Sequence, residues 1–151
     1  DRLGLPVVSL VDTPGADPSP ASERDGIAPA MGEALDALLA CTSPTLALVH
    51  GEGGSGGALA AAAADLVLVT DEAYFAAIGP EGATAALRRP KQECADRMRV
   101  TPADLLALGF ADALATPQDV AAHLARIAAV PAEVRRERRA ARWSAPLPGA
   151  L

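Results

Sequence analysis

Residues 45–64 constrain the fold more tightly than any other stretch. An apolar run, Thr45-Leu-Ala-Leu-Val-His50, leads into Gly51-Glu-Gly-Gly-Ser-Gly-Gly57, and alanines dominate residues 58–64. The first run predicts a strand, and the last offers the best helix former repeatedly. The chain must therefore pass from strand to helix through a segment in which five of seven residues lack a Cβ. Such a backbone can approach a neighbour closely. At a helix start the unpaired N–H groups point outward and the dipole is positive, so an anion or a developing oxyanion is stabilised there. Phosphate binding, oxyanion binding, and tight helix–strand packing alone are the three readings.

The phosphate reading fails on specific residues. Gly51 to Gly56 has the GxxxxG spacing of a phosphate-binding loop, but Gly57 and Ala58 stand where Lys and Ser or Thr are required. The DxxG element, Asp12-Thr-Pro-Gly15, also precedes the glycine turn instead of following it. Oxyanion chemistry needs only backbone donors in a water-poor cavity, where removing one donor costs roughly 3 kcal/mol of transition-state stabilisation. His50 adjoins the turn, yet a histidine ending an apolar strand is usually structural. Glu52, Asp12 and Glu81 sit in loops or at helix starts, where carboxylates commonly cap or form turns.

The remaining pattern alternates strands with helices and predicts an α/β layered domain with short, mostly parallel strands. Residues 5–11 read as a strand buried on both faces, and residues 12–20 as a Pro- and Asp-rich loop. Apolar residues at helical spacing predict one amphipathic helix over about 22–41, with Pro29 ending its first turn or kinking it. Two short strands follow at 65–70 and 73–78, then a helix at 80–87. Thr101-Pro-Ala-Asp104 and Thr116-Pro-Gln-Asp119 each announce a capped helix, linked by an extended piece at 110–114. A basic helix at about 132–143 ends in a loose tail marked by Pro146 and Pro148. Its arginines, Arg135, Arg136, Arg138, Arg139 and Arg142, read first as a solvated face and second as a contact for phosphates or an acidic neighbour.

Half of the 151 residues are apolar and only 3% aromatic, which suits one domain of closely approaching small side chains. The formal net charge of −6 disfavours a nucleic-acid or anionic-membrane partner. Cys41 and Cys94 share no metal or disulfide spacing, so no metal site is indicated and a cytoplasmic setting fits. The chain opens on Asp1 close to its first strand, which suggests a processed or excised piece and an N-terminally incomplete domain.

Taken together, residues 5–16, Gly51-Glu-Gly-Gly-Ser-Gly-Gly-Ala-Leu59 and Gly79-Pro-Glu-Gly-Ala83 resemble the carboxyltransferase α subunit of bacterial acetyl-CoA carboxylase. Glu23 and Gly26 fall within that family's Glu-Glu-Arg-Gly stretch, and the similarity runs from about Leu3 to Ala115. Gly79, Asp17 and Pro29 depart from the family pattern. The resemblance implies a crotonase-like ββα spiral over residues 1–130, with 131–151 as a basic helix and tail. It implies carboxyl transfer from carboxybiotin, borne on a biotin carboxyl carrier protein, to acetyl-CoA or a related acyl-CoA. The products would be malonyl-CoA and its relatives, in fatty-acid synthesis. By motif position the oxyanion donors would be the amides of Gly56 and Gly57, with Gly53, Gly54 and Ala58 completing the biotin-binding turn. A β-type subunit or fused domain would complete the site within a higher oligomer. A decarboxylase or hydrolase of the same fold, or a non-catalytic scaffold, is the alternative.

Overall fold

The computed structural model describes residues 1–144, so the expected tail with Pro146 and Pro148 lies outside the described residues. Among the described residues, five strands form one sheet: β1 (Val7–Thr13), β2 (Thr45–Gly54), β3 (Leu66–Val69), β4 (Tyr74–Ala76) and β5 (Ala113–Leu114). The order is β1-β2-β3-β5, with β4 joining the far end of β2, and every pairing is parallel. Parallel pairing needs long crossovers, and helices supply them. These are α1 (Pro20–Arg24), α2 (Ile27–Ala40), α3 (Ser55–Ala62), α4 (Pro80–Leu87), α5 (Lys91–Met98), α6 (Pro102–Ala107), α7 (Val120–Ala128) and α8 (Ala132–Ser144).

Strand β2 is the axis of the domain. Its alternating side chains feed two layers of core, as the period of two demands. Ala47 and Val49 face Ala58 and Ala62 of α3, with Val67 and Val69 alongside. Leu46 and Leu48 face the other way with Leu68 and Ala115, against Val120, Leu124 and Ile127. Full burial of each such leucine is worth about 1.5–3 kcal/mol.

Strand β1 is not buried on both faces. It lies at the sheet's end, and its Val8 and Leu10 are exposed, Leu10 by 72%. Only Val11 is buried, where it meets Val49 in register. The single helix expected over 22–41 is two helices. The break falls at Gly26, whose φ of 86° is left-handed, and not at Pro29. Pro29 sits in the first turn of α2, where a missing N–H costs nothing. None of the residues of α2 is fully buried.

Helix α5 has no counterpart in the sequence pattern, because Lys-Gln-Glu-Cys-Ala-Asp-Arg-Met carries little apolar periodicity. It is held by Cys94 in the core and by surface pairs such as Arg89–Glu93 at 2.5 Å. Both Thr-Pro-x-Asp signals form capping boxes. The first opens α6, and the second opens a 3-10 turn, Pro117–Asp119, ahead of α7.

The basic helix is not a solvated face either. Arg135, Arg139 and Arg142 recur at i, i+4 and i+7, so they share one side of α8. Arg139, 1% exposed, donates to Asp65 Oδ1 at 2.6 Å and to Thr45 Oγ1 at 3.0 Å, and also to the carbonyls of Cys41 and Leu39. Arg135 donates to the Thr42 carbonyl at 2.6 Å, and Arg142 to Asp112 at 2.7 Å. Trp143 adds a hydrogen bond to the Ala64 carbonyl and an edge contact with Phe110. The helix thus crosses the strands where β2, β3 and β5 begin, while Arg136 and Arg138 stay in water.

Candidate functional site

The glycine segment is half strand and half helix. Strand β2 continues through Gly54, pairing Gly53 with Phe75 and Gly54 with Ala76 of β4, and α3 begins at once with Ser55. Glycine is needed in this strand extension for close approach. A Cβ on Gly53 would overlap Phe75, and one on Gly54 would overlap the Pro14 carbonyl. The reversal into the helix is concentrated at Ser55, which takes φ 57° in place of a glycine.

The loop after β1 lies against this elbow. A Cβ on Gly15 would come within 3.3 Å of the Ser55 Cβ, and one on Gly57 within 2.9 Å of the Ala16 nitrogen. Gly56 differs from its neighbours. A side chain there would meet only Met31 of α2, at 3.6 Å, which is ordinary contact. Gly56 and Gly57 occupy the first turn of α3, where amides lack partners within the helix. Among the described residues, no hydrogen bond from outside α3 reaches these two amides, and none is made by the amide of Ala16. Three backbone donors from two loops therefore cluster at one corner. Sequence motif position points only to Gly56 and Gly57. The Ala16 amide, brought beside them by the Pro-Gly-Ala loop that precedes α1, has no such motif signal.

Gly53 and Gly54 are buried in packing, and Ala58 faces the core with no exposure. An apolar groove of about 580 Å³ runs from Gly57 between α2 and α3, lined by Met31, Ala34, Leu38, Ala60 and Ser9. This apolar lining adjoins the polar corner and stays open to solvent.

The carboxylates near the elbow serve local structure. Asp12 accepts from the Glu52 amide at 3.0 Å, and its side chain fills the space that a Gly51 Cβ would need. Asp17 accepts from the Ser19 hydroxyl and amide, which hold its pKa below the usual range. Glu81 is lowered chiefly by its hydrogen bond to Lys91. Tyr74 lies beside Glu52 in register, and its pKa is raised by burial first and by Glu52 and Glu81 next. The phenol therefore keeps its proton and remains a donor at neutral pH. His50 is exposed and lines a separate crevice of about 440 Å³ with Thr70, Asp71 and Thr116. Among the described residues, no three His, Cys, Asp or Glu side chains group to hold a metal, and no helix is long and apolar enough to cross a membrane.

Known proteins resemble this chain in sequence and fold. A family described as acetyl co-enzyme A carboxylase carboxyltransferase-like matches residues 1–139. The acetyl-coenzyme A carboxylase carboxyl transferase subunit alpha of Xanthobacter autotrophicus is 46% identical over 126 residues, 82% of this chain and 40% of the relative. The subunits beta/alpha protein of Salinispora tropica is 47% identical over 125 residues, 81% of this chain and 22% of that one. The chain thus spans well under half the length of these curated relatives. Among solved structures, transcarboxylase 12S with hydrolysed methylmalonyl-coenzyme A bound superposes with a TM-score of 0.75 at 28% identity, covering 83% of this chain and 26% of that one.

Proposed function

The chain belongs to the acetyl-CoA carboxylase carboxyltransferase-like family, with a crotonase-like α/β fold, and we propose that it supplies the biotin-side half of an acyl-CoA carboxyltransferase. The observation that carries this is the corner where the amides of Ala16, Gly56 and Gly57 stand without partners, with room at Gly56 for a methyl in ordinary contact with Met31. Carboxybiotin, delivered on a biotin carboxyl carrier protein, brings the carboxyl group and a ureido oxygen that gains negative charge as that group departs. The residues fit such a ligand. Free N–H groups meet the oxygen, the helix start favours the charge, and the apolar groove suits the hydrocarbon part.

The chain's own contribution is electrostatic. The amides of Gly56 and Gly57 hold the oxyanion, and Ala16 adds a donor from the second loop. Gly53 and Gly54 shape the turn against Phe75 and Pro14, and Ala58 anchors the helix behind it. The acceptor is acetyl-CoA or a close relative, yielding malonyl-CoA or its analogue in the cytoplasm. A β-type subunit or fused domain polarises the thioester and closes the exposed corner, within a higher oligomer. The acceptor's α-proton would pass to the biotin nitrogen freed as the carboxyl group leaves, so no protein acid–base dyad is required of this half, which agrees with the structural roles of Asp12 and Asp17.

The test uses the full-length protein with its β-type half, a carboxylated carrier and acetyl-CoA. Gly56→Ala is the clean probe, since the chain tolerates a methyl there. Transfer should fall at least tenfold with unfolding unchanged. Wild-type assemblies that fail to carboxylate any short acyl-CoA would refute the assignment.

A further inference from the structure

Gly53-Gly-Ser-Gly-Gly57 is a G-x-S-x-G sequence on a strand-to-helix elbow, and its serine carries the backbone strain. Left-handed geometry is natural to glycine and costs other residues roughly 1 kcal/mol or more. Glycine stands on both sides of Ser55, yet the one position that would gain most from glycine holds a hydroxyl. Packing does not demand it. Ser55 is exposed, and its hydroxyl has no hydrogen-bond partner among the described residues.

The placement of this side chain supplies a reason. The Ser55 Cβ lies beside Gly15, and the backbone of Gly57 lies beside Ala16, so one dipeptide bridges the serine and the amide donors. In a G-x-S-x-G elbow this strain projects Oγ outward, next to the amide of the following residue, which here is Gly56. A nucleophile would need a base, and the nearest histidine along the strand, His50, lines a different crevice. A hydrogen-bonding role needs none.

We propose that the Ser55 hydroxyl is a further catalytic group of this corner, donating a hydrogen bond to the same ligand oxygen that the backbone amides hold. This rests on the oxyanion assignment made above. The donor is a neutral hydroxyl, its proton stays on Oγ, and no covalent bond forms. It strengthens as charge develops, so its loss should appear in kcat more than in KM.

Two variants in the full-length enzyme, assembled with its β-type half and carrier, separate chemistry from conformation. Ser55→Ala removes the hydroxyl and keeps the strained residue, whereas Ser55→Gly removes both. Both should lower kcat for carboxyl transfer by about tenfold to a hundredfold, within the range lost with one oxyanion donor. KM for the carboxylated carrier should change less than threefold. Ser55→Gly should melt no lower than wild type, because glycine accepts the left-handed backbone. If Ser55→Gly retains near-normal kcat, the hydroxyl plays no part and the proposal falls, whatever Ser55→Ala does. Wild-type enzyme without carboxyl transfer would instead bring down the underlying assignment, so the two failures are distinguishable.

Discussion

Strand β2 is finished by opposite means at its two ends. Where it begins, Thr45 and Asp65 are locked by Arg139, whose guanidinium also reaches the carbonyls of Leu39 and Cys41. Where it ends, amides stand without partners, a serine occupies a left-handed turn, and the groove toward α2 stays open. One end over-determines its geometry with charged hydrogen bonds, and the other leaves polar groups for a ligand. The contrast teaches how a small-residue domain tolerates a strained corner: rigidity comes from the far end of the same strand.

The contrast is broken most severely through Arg139→Ala. Asp65, with a side chain only 5% exposed, would lose the closer of its two buried arginines and keep Arg135 at 3.6 Å, while the Leu39 and Cys41 carbonyls and Thr45 would lose their donor, so stability should drop by about 3 kcal/mol. For a chain of this size that lowers the melting temperature by roughly 10 °C, measurable by calorimetry. Asp65→Asn combined with Arg139→Met should recover part of the loss. An Arg139→Ala melt within two or three degrees of wild type would show that the clamp is not what holds this end.

Next in size is Gly54→Ala, because its Cβ would overlap the Pro14 carbonyl. Destabilisation of about 1–3 kcal/mol is expected from such overpacking, and displacement of the loop should also reduce carboxyl transfer. A stable and fully active Gly54→Ala would show that the two loops need not touch.

Smaller again is the acid response of the α6 cap. The Thr101 hydroxyl, above all, holds Asp104 below the ordinary carboxylate range. The folded pKa is thus lower than the unfolded one, so the cap's contribution is complete above the unfolded value and is lost as pH falls through the folded value. Melting temperature should decline on acidification below about pH 4, and Asp104→Asn should remove part of that decline. Thr101→Ala should cost about 1 kcal/mol at neutral pH. The smallest change belongs to Leu10→Ser, at an exposed position on β1, which should alter stability by no more than about 0.5 kcal/mol. A larger loss in chemical denaturation would mean that β1 is better covered than its exposure indicates.

Much of this contrast was legible in the residues, though unevenly. The β-branched and leucine-rich runs of β2 and β3 announced themselves, as did both Thr-Pro-x-Asp caps, because local chemistry determines them. Residues 51–54 read as turn but extend the strand, since glycine looks alike in a turn and in a closely packed strand end. The left-handed φ of Ser55 leaves no trace in composition. Likewise, the exposure of Leu10 depends on which strand occupies the sheet's edge, and a short apolar run looks the same at an edge or a centre. The arginines of α8 depart furthest from their sequence pattern. A charge run suggests solvent, yet the spacing 135, 139, 142 already placed three of them on one side, facing Asp65 and Asp112 only once the fold had closed.

Strand β1 carries one more consequence. Its outer ladder has no partner strand among the described residues, and Val8 and Leu10 lie bare beside it. An open edge of that kind is a template on which a foreign strand can grow, and no lysine within residues 7–11 blunts it, the strand's register shift coming only between Val11 and Thr13. At high concentration and without a covering surface, the same backbone that sets the register of Val11 on Val49 would nucleate intermolecular sheet, so colloidal behaviour becomes a property of this edge more than of net charge.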